Sequence, residues 1–225
     1  MTMFQRFLPL VAFTAILIGV LGEESVHAED EKVQLFMLEM FYDSTSENSE
    51  SMRAAFEKYG EDHPGVKLYF RDVHENEEGQ KRLDEMQSYF KLKEVTLPAL
   101  YGLKYFADNI DSVEKLNAKL DEMLTLTAYV RNGCPHCKAA KEFLTKYGSR
   151  YPALKIVYRE VTTDKTASQE MRDVARRYSQ RAASLPLLHY CNGVSIGYST
   201  ERTTGVKILK TLDYWSEGGV IEKKK

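Results

Sequence analysis

Four consecutive residues, Cys134-Pro135-His136-Cys137, hold most of the reactive chemistry in this sequence. Two thiols at that spacing lie one turn apart if a helix runs through them, close enough to close a disulfide. Pro135 suits the first turn of such a helix, where a missing N–H costs nothing. Cys134 would then stand exposed at the helix N-terminus. There, free N–H groups and the positive end of the helix dipole favour a thiolate over a thiol. His136 adds a donor, or a positive charge when protonated, near the same sulfur. The thiolate is the attacking species, and a stable thiolate is also a good leaving group, which makes the disulfide form oxidising. The same four residues would also fit a plain structural disulfide or half of a metal site. A zinc site needs two more ligands. His189 and Cys191 share a face with each other, and nothing in the sequence sets them beside Cys134, so no metal is expected.

Such a motif works only if a strand and a helix meet at it, and the surrounding sequence supplies both. The chain matches itself without gaps at an offset of 88 residues, from about residue 41 to 100. Lys58-Tyr59-Gly60 meets Lys146-Tyr147-Gly148, Arg71 and Val73 meet Arg159 and Val161, and Leu97-Pro98 meets Leu185-Pro186. Asp72 against Glu160 and Thr96 against Ser184 are conservative pairs. Each copy reads as strand (33–42; 125–131), helix (47–60; 135–150), strand (66–73; 154–161), helix (77–91; 167–180), a strand opened by proline, and a final helix (111–124; 201–216). In the first helix of the second copy, Cys137, Ala140, Leu144 and Tyr147 form one apolar face, and in its last helix Val206, Leu209, Leu212 and Trp215 do so. The order β-α-β-α-β-(β)-α implies an α/β fold with a central sheet between helices, its first two strands parallel through a right-handed crossover.

The second half of the site is Leu185-Pro186, which begins the strand expected beside the one that feeds Cys134. With that proline, the strand–helix CxxC and this element order, the sequence resembles the thioredoxin superfamily. The resemblance covers nearly all of the chain after residue 28, as two tandem thioredoxin-like folds, each a central mixed sheet flanked by helices. It implies a cis peptide before Pro186 facing Cys134 and Cys137, with Leu185 offering backbone to an extended substrate. Ser184-Leu185-Pro186, with Ile196-Gly197 downstream, is most similar to the compact glutaredoxin form, although Tyr198 stands where that form has a second glycine. The Cys-Pro-His-Cys motif is similar to that of bacterial periplasmic disulfide-forming oxidases, whose large helical insertion has no room here. Tandem folds also resemble protein disulfide isomerase-like oxidoreductases.

In the first copy, Ser46-Glu47-Asn48-Ser49 stands opposite the cysteine motif, so this copy cannot exchange disulfides. It either binds or orients substrate, or completes the core of its neighbour. Cys191 reads as a buried apolar residue, with a regulatory or intermolecular thiol as the other possibility. Arg131 reads as a solvated charge or as a residue steering acidic substrates.

Residues 1–28 read as a signal peptide. Arg6 precedes an uncharged apolar run, and Val26-His27-Ala28 offers small residues for cleavage. An uncut anchor is the alternative and the one expected route to a membrane. The rest of the chain divides into 29–124 for the copy without cysteines, 125–217 for the copy with them, and 218–225 for a tail. Export places the protein in the periplasm or outside the cell, where disulfides persist. Across 225 residues, 43% hydrophobic and 28% charged residues match a globular chain rather than a disordered or multi-pass one. A net charge of −2 gives no field for nucleic acid. The expected function is an exported thiol–disulfide oxidoreductase: Cys134 attacks, Cys137 resolves, Pro135 and His136 tune, and Leu185-Pro186 holds substrate. Its partners are proteins with thiols or disulfides and a redox partner protein, and no organic cofactor is needed. The alternatives are a glutathione-linked glutaredoxin-like reductase, or a non-catalytic peptide-binding, chaperone-like protein with a structural disulfide.

Overall fold

The computed structural model describes residues 33–180 and 184–216. The expected signal peptide and the tail from 218 lie outside them. In chain order the elements are β1 (Phe36–Tyr42), α1 (Ser49–Asp62), β2 (Val66–Asp72), α2 (Glu77–Phe90), β3 (Ala99–Gly102), β4 (Tyr105–Ala107) and α3 (Val113–Met123). After them come β5 (Thr125–Val130), α4 (Pro135–Tyr147), β6 (Lys155–Glu160), α5 (Lys165–Arg177), β7 (Leu187–Tyr190), β8 (Gly193–Ile196) and α6 (Val206–Ser216). They build two four-stranded mixed sheets, β2-β1-β3-β4 and β6-β5-β7-β8, each flanked by helices. Both are thioredoxin-like folds.

The repeat holds to the level of register. Tyr42 lies opposite Asp72 in the parallel pair β1/β2, and Val130 opposite Glu160 in β5/β6. Glu39 faces Tyr101 across β1/β3, and Thr127 faces His189 across β5/β7. Leu100 pairs with Ala107, and Leu188 with Ser195. All of these partners are related by the 88-residue offset. A slip of one residue would turn every core side chain outward, so shared register means that the same positions feed the core in both halves.

The two halves share one core. A single cluster of buried residues runs from Phe36, Leu38, Phe56 and Leu116 in the first half to Leu126, Phe143, Leu188 and Ile208 in the second. Phe36 and Tyr151 stack with ring centres 5.9 Å apart. The Gln34 N–H donates to the Arg150 carbonyl at 2.9 Å, and Asn192 Nδ2 donates to the Lys104 carbonyl at 3.0 Å. Trp215 of α6 packs against the first half's second cluster around Phe41, Leu83 and Met86.

Several boundaries differ from those read in the sequence. β1 starts at Phe36 rather than residue 33, since the Gln34 N–H is spent on Arg150. α4 ends at Tyr147 and gives way to a tight turn, Gly148–Arg150. The last helix opens as a wide turn, Glu201–Gly205, and of the expected inward residues Leu209, Leu212 and Trp215 do pack on the core. Ile208, Leu212 and Ser216 are the residues buried there, while Val206 is 39% exposed. Gly205 explains the close approach, because a Cβ there would come within 2.7 Å of the Phe143 ring.

Candidate active site

β5 ends at Val130, and three residues carry the chain to the motif. Gly133 takes φ +73°, a conformation that side chains resist, and so turns the loop sharply into α4. Cys134 is the N-cap of α4, and Pro135 fills the first turn. The Cys137 N–H donates to Cys134 Sγ at 3.2 Å. A sulfur acceptor thus takes the place of the usual capping oxygen. Both thiols are free.

Cys134 is less open than its place at a helix end suggests, with 8% of its surface exposed. It sits in an open cleft of about 440 Å³ lined by Arg131, Asn132, Gly133, Pro135, Cys137, Lys138 and Lys141. Cys137, one turn inward, is 1% exposed. Burial pushes the Cys134 thiol up, but hydrogen bonds from Cys137, the Arg131 charge and the His136 N–H outweigh it and hold the thiol below its ordinary value. Burial, reinforced by the bond to Cys134, pushes Cys137 up to about 11. The pair therefore divides into a ready nucleophile and a buried reserve thiol. His136 is exposed and supports the sulfur through its backbone N–H, while the charge acting on that sulfur is that of Arg131.

Alkylation should display this division. Iodoacetamide on reduced protein should modify Cys134 with a midpoint below the ordinary thiol value of about 8.5. Arg131→Ala should move that midpoint upward. An unchanged midpoint in the variant would show that the guanidinium does not stabilise the thiolate.

Leu185-Pro186 is joined by a cis peptide, as is Leu97-Pro98 in the first half. Leu187 pairs with Tyr129, so continuing that register sets Pro186 beside Val130 and Leu185 beside Arg131, at the root of the cysteine loop. Leu185 also packs on the core cluster that contains both cysteines. Cys191 lies in the β7–β8 turn, 3% exposed, and burial pushes its thiol up to about 12.

In the sequence Glu160 pairs with Asp72 but neither has a role, and the structure supplies one, that of holding the loop. Glu160, at the end of β6, accepts from the Asn132 N–H at 3.4 Å, the Thr162 N–H at 3.0 Å and the Thr163 N–H at 2.7 Å. The Thr163 hydroxyl first, then the Thr163 N–H and the bonds from Thr162, bring its pKa down to about 2. Asp72 repeats the arrangement in the first half, accepting from the N–H groups of Ser44, His74 and Glu75. The signal was the acidic pair Asp72 and Glu160 at equivalent positions.

In the first half the Ser46 N–H donates to the Asp43 carbonyl at 3.1 Å, just as the Cys134 N–H donates to Arg131 at 3.4 Å. Ser49 is buried like Cys137, and α1 starts there rather than at residue 47. The Thr96 N–H is taken by Asp108 Oδ2 and its carbonyl by the Asn109 N–H. At the equivalent Ser184, no backbone hydrogen bond is made among the described residues.

The glutaredoxin family model matches residues 126–185, from β5 to the threshold of Pro186. Among solved structures, the glutaredoxin of Archaeoglobus fulgidus is similar at 19% identity and a TM-score of 0.30, over 40% of this chain and 91% of its own. The alkylhydroperoxide reductase component AhpF of Enterococcus faecalis is similar at 13% identity and a TM-score of 0.29, over 81% of this chain and 92% of its own. ERdj5 is similar at 12% identity and a TM-score of 0.28, over 86% of this chain and 27% of its own. No curated protein matches. Residues 126–185 belong to a glutaredoxin-family domain of the thioredoxin superfamily.

Proposed function

We propose that this protein is an exported thiol–disulfide oxidoreductase that acts on protein thiols and disulfides through Cys134 and Cys137. One observation carries the reading. A thiol held below its ordinary value in an open cleft lies one helical turn from a buried thiol held at about 11. The matched glutaredoxin segment supports thiol oxidoreductase chemistry in general.

As reductant, the Cys134 thiolate attacks one sulfur of a substrate disulfide. A Cys134–substrate bond forms, and the other substrate sulfur leaves as a thiolate that takes a proton from water. Cys137 then loses its proton and attacks Cys134. The Cys134–Cys137 disulfide forms, and the first substrate sulfur leaves. Two electrons have passed to the substrate, and a dithiol partner protein returns them. As oxidant, the same steps run backwards and a disulfide partner recharges the pair. Cys137, buried, keeps its proton until the mixed disulfide exists, which suppresses idle exchange. Leu185-Pro186 holds the substrate backbone beside the loop. Residues 1–28 serve as the export signal, and the protein works in the periplasm or outside the cell. Residues 29–124 stabilise and orient the domain from 125 to 217.

Equilibration of the purified protein with glutathione redox buffers tests this. A stabilised Cys134 thiolate favours the dithiol, so the potential should lie above about −270 mV. A potential below about −300 mV would identify a structural disulfide and overturn the reading. A second reading, a glutathione-linked reductase, is favoured by the family of the matched segment. Saturation of turnover by glutathione, with no activity on protein disulfides, would select it.

A further inference from the structure

Arg131 and Lys138 stand at the mouth of the Cys134 cleft, with Lys141 one turn further along α4, and none of the residues lining that cleft is acidic. The fold does not demand the first two charges, although Lys141 is matched by another cation, Arg53. At the 88-residue offset, the first half has Asp43 in place of Arg131 and Glu50 in place of Lys138. The same loop, with the same backbone turn and carboxylate clamp, thus carries the opposite sign where there is no cysteine.

The cations are largely available. Arg131 is exposed and makes no ion pair among the described residues. Lys138 has only a loose contact with Glu142, at 3.8 Å between side chains that are 79% and 67% exposed. Lys141 rests over the Tyr158 ring at 5.3 Å. On the far side of the loop, the Ser184 backbone is open where Thr96 is capped.

We propose that the cleft selects cysteines set in acidic stretches of polypeptide, with Arg131 and Lys138 as the specificity-determining residues. This rests on the redox reading above. Carboxylates flanking the substrate sulfur are drawn to the two cations, while an extended backbone lies along Ser184 and Leu185. Cations around a concave site concentrate oppositely charged partners and raise their encounter rate, and salt screens the effect.

The test uses ten-residue peptides with one internal cysteine activated as a 2-thiopyridyl disulfide. The flanking residues are acidic, neutral or lysine. The Cys134 thiolate forms a bond to the peptide sulfur, and thiopyridone leaves with the electron pair of the broken S–S bond. Each rate is divided by that of dithiothreitol with the same peptide, which removes the peptide's own reactivity. At low ionic strength the acidic peptide should react about tenfold faster than the lysine peptide, and high salt should erase the difference. Arg131→Asp combined with Lys138→Glu should reverse the order. The ratio between peptides within one variant is independent of any change in thiolate reactivity. Equal rates for all three peptides at low salt would overturn the selectivity and leave the redox chemistry standing. A glutathione conjugate outrunning the acidic peptide would overturn the polypeptide as the source of the carboxylates. No reaction with any peptide would remove the redox reading and this proposal together.

Discussion

Cys137→Ser is expected to turn the protein into a trap. The serine hydroxyl can still donate to the Cys134 sulfur, and the backbone N–H of residue 137, now 3.2 Å from that sulfur, is unaffected. The Arg131 charge stays in place as well, so Cys134 keeps its thiolate and its attack. What disappears is resolution. An internal thiol one turn away acts at an effective concentration far above that of any dissolved thiol, so its loss should slow release of substrate about 10²-fold or more. One equivalent of substrate should remain bound through a disulfide, and mass spectrometry of tryptic peptides should place it on Cys134. Cys134→Ser should form no adduct, because Cys137 is buried and held at about 11. An adduct on Cys191 in either variant would sink the assignment.

The second large effect lies far from the thiols. Glu39 is 6% exposed in the middle of β1. Its carboxylate meets Arg71 Nε at 2.9 Å and Arg82 Nη2 at 2.7 Å. Arg82 also lies over the Tyr101 ring, 5.5 Å from its centre. Glu39→Gln leaves two half-buried guanidinium groups facing each other without their anion. Removing one member of a buried charge set costs about 3–5 kcal/mol, and the partial exposure of both arginines points to the lower end. Urea unfolding should report a loss of about 3 kcal/mol. A loss below about 1 kcal/mol would show that water already satisfies the arginines.

The contrast between these two sites shows what the sequence discloses. The cysteine motif was legible because its residue types are rare and its spacing has one geometric meaning. The fold was legible because a gapless offset keeps register, and register decides which side chains enter the core. Glu39 was hidden. An acidic residue in a strand reads as a break in the apolar pattern, and its two arginines come from β2 and α2, 32 and 43 residues away. The burial of Cys134 was hidden for a related reason, since a helix end is exposed in isolation and the core cluster it joins gathers residues from both halves of the chain. In the last helix the periodicity placed Leu209, Leu212 and Trp215 on the core and missed only at Val206, which directly follows the wide turn at Glu201–Gly205.

Only Leu124 separates α3, the last helix of the first half, from β5, the first strand of the second, and Leu124 is itself 2% exposed. There is no tether to flex. The two copies form one block rather than beads on a string, so cutting the chain between them would strip apolar surface from the core that both share.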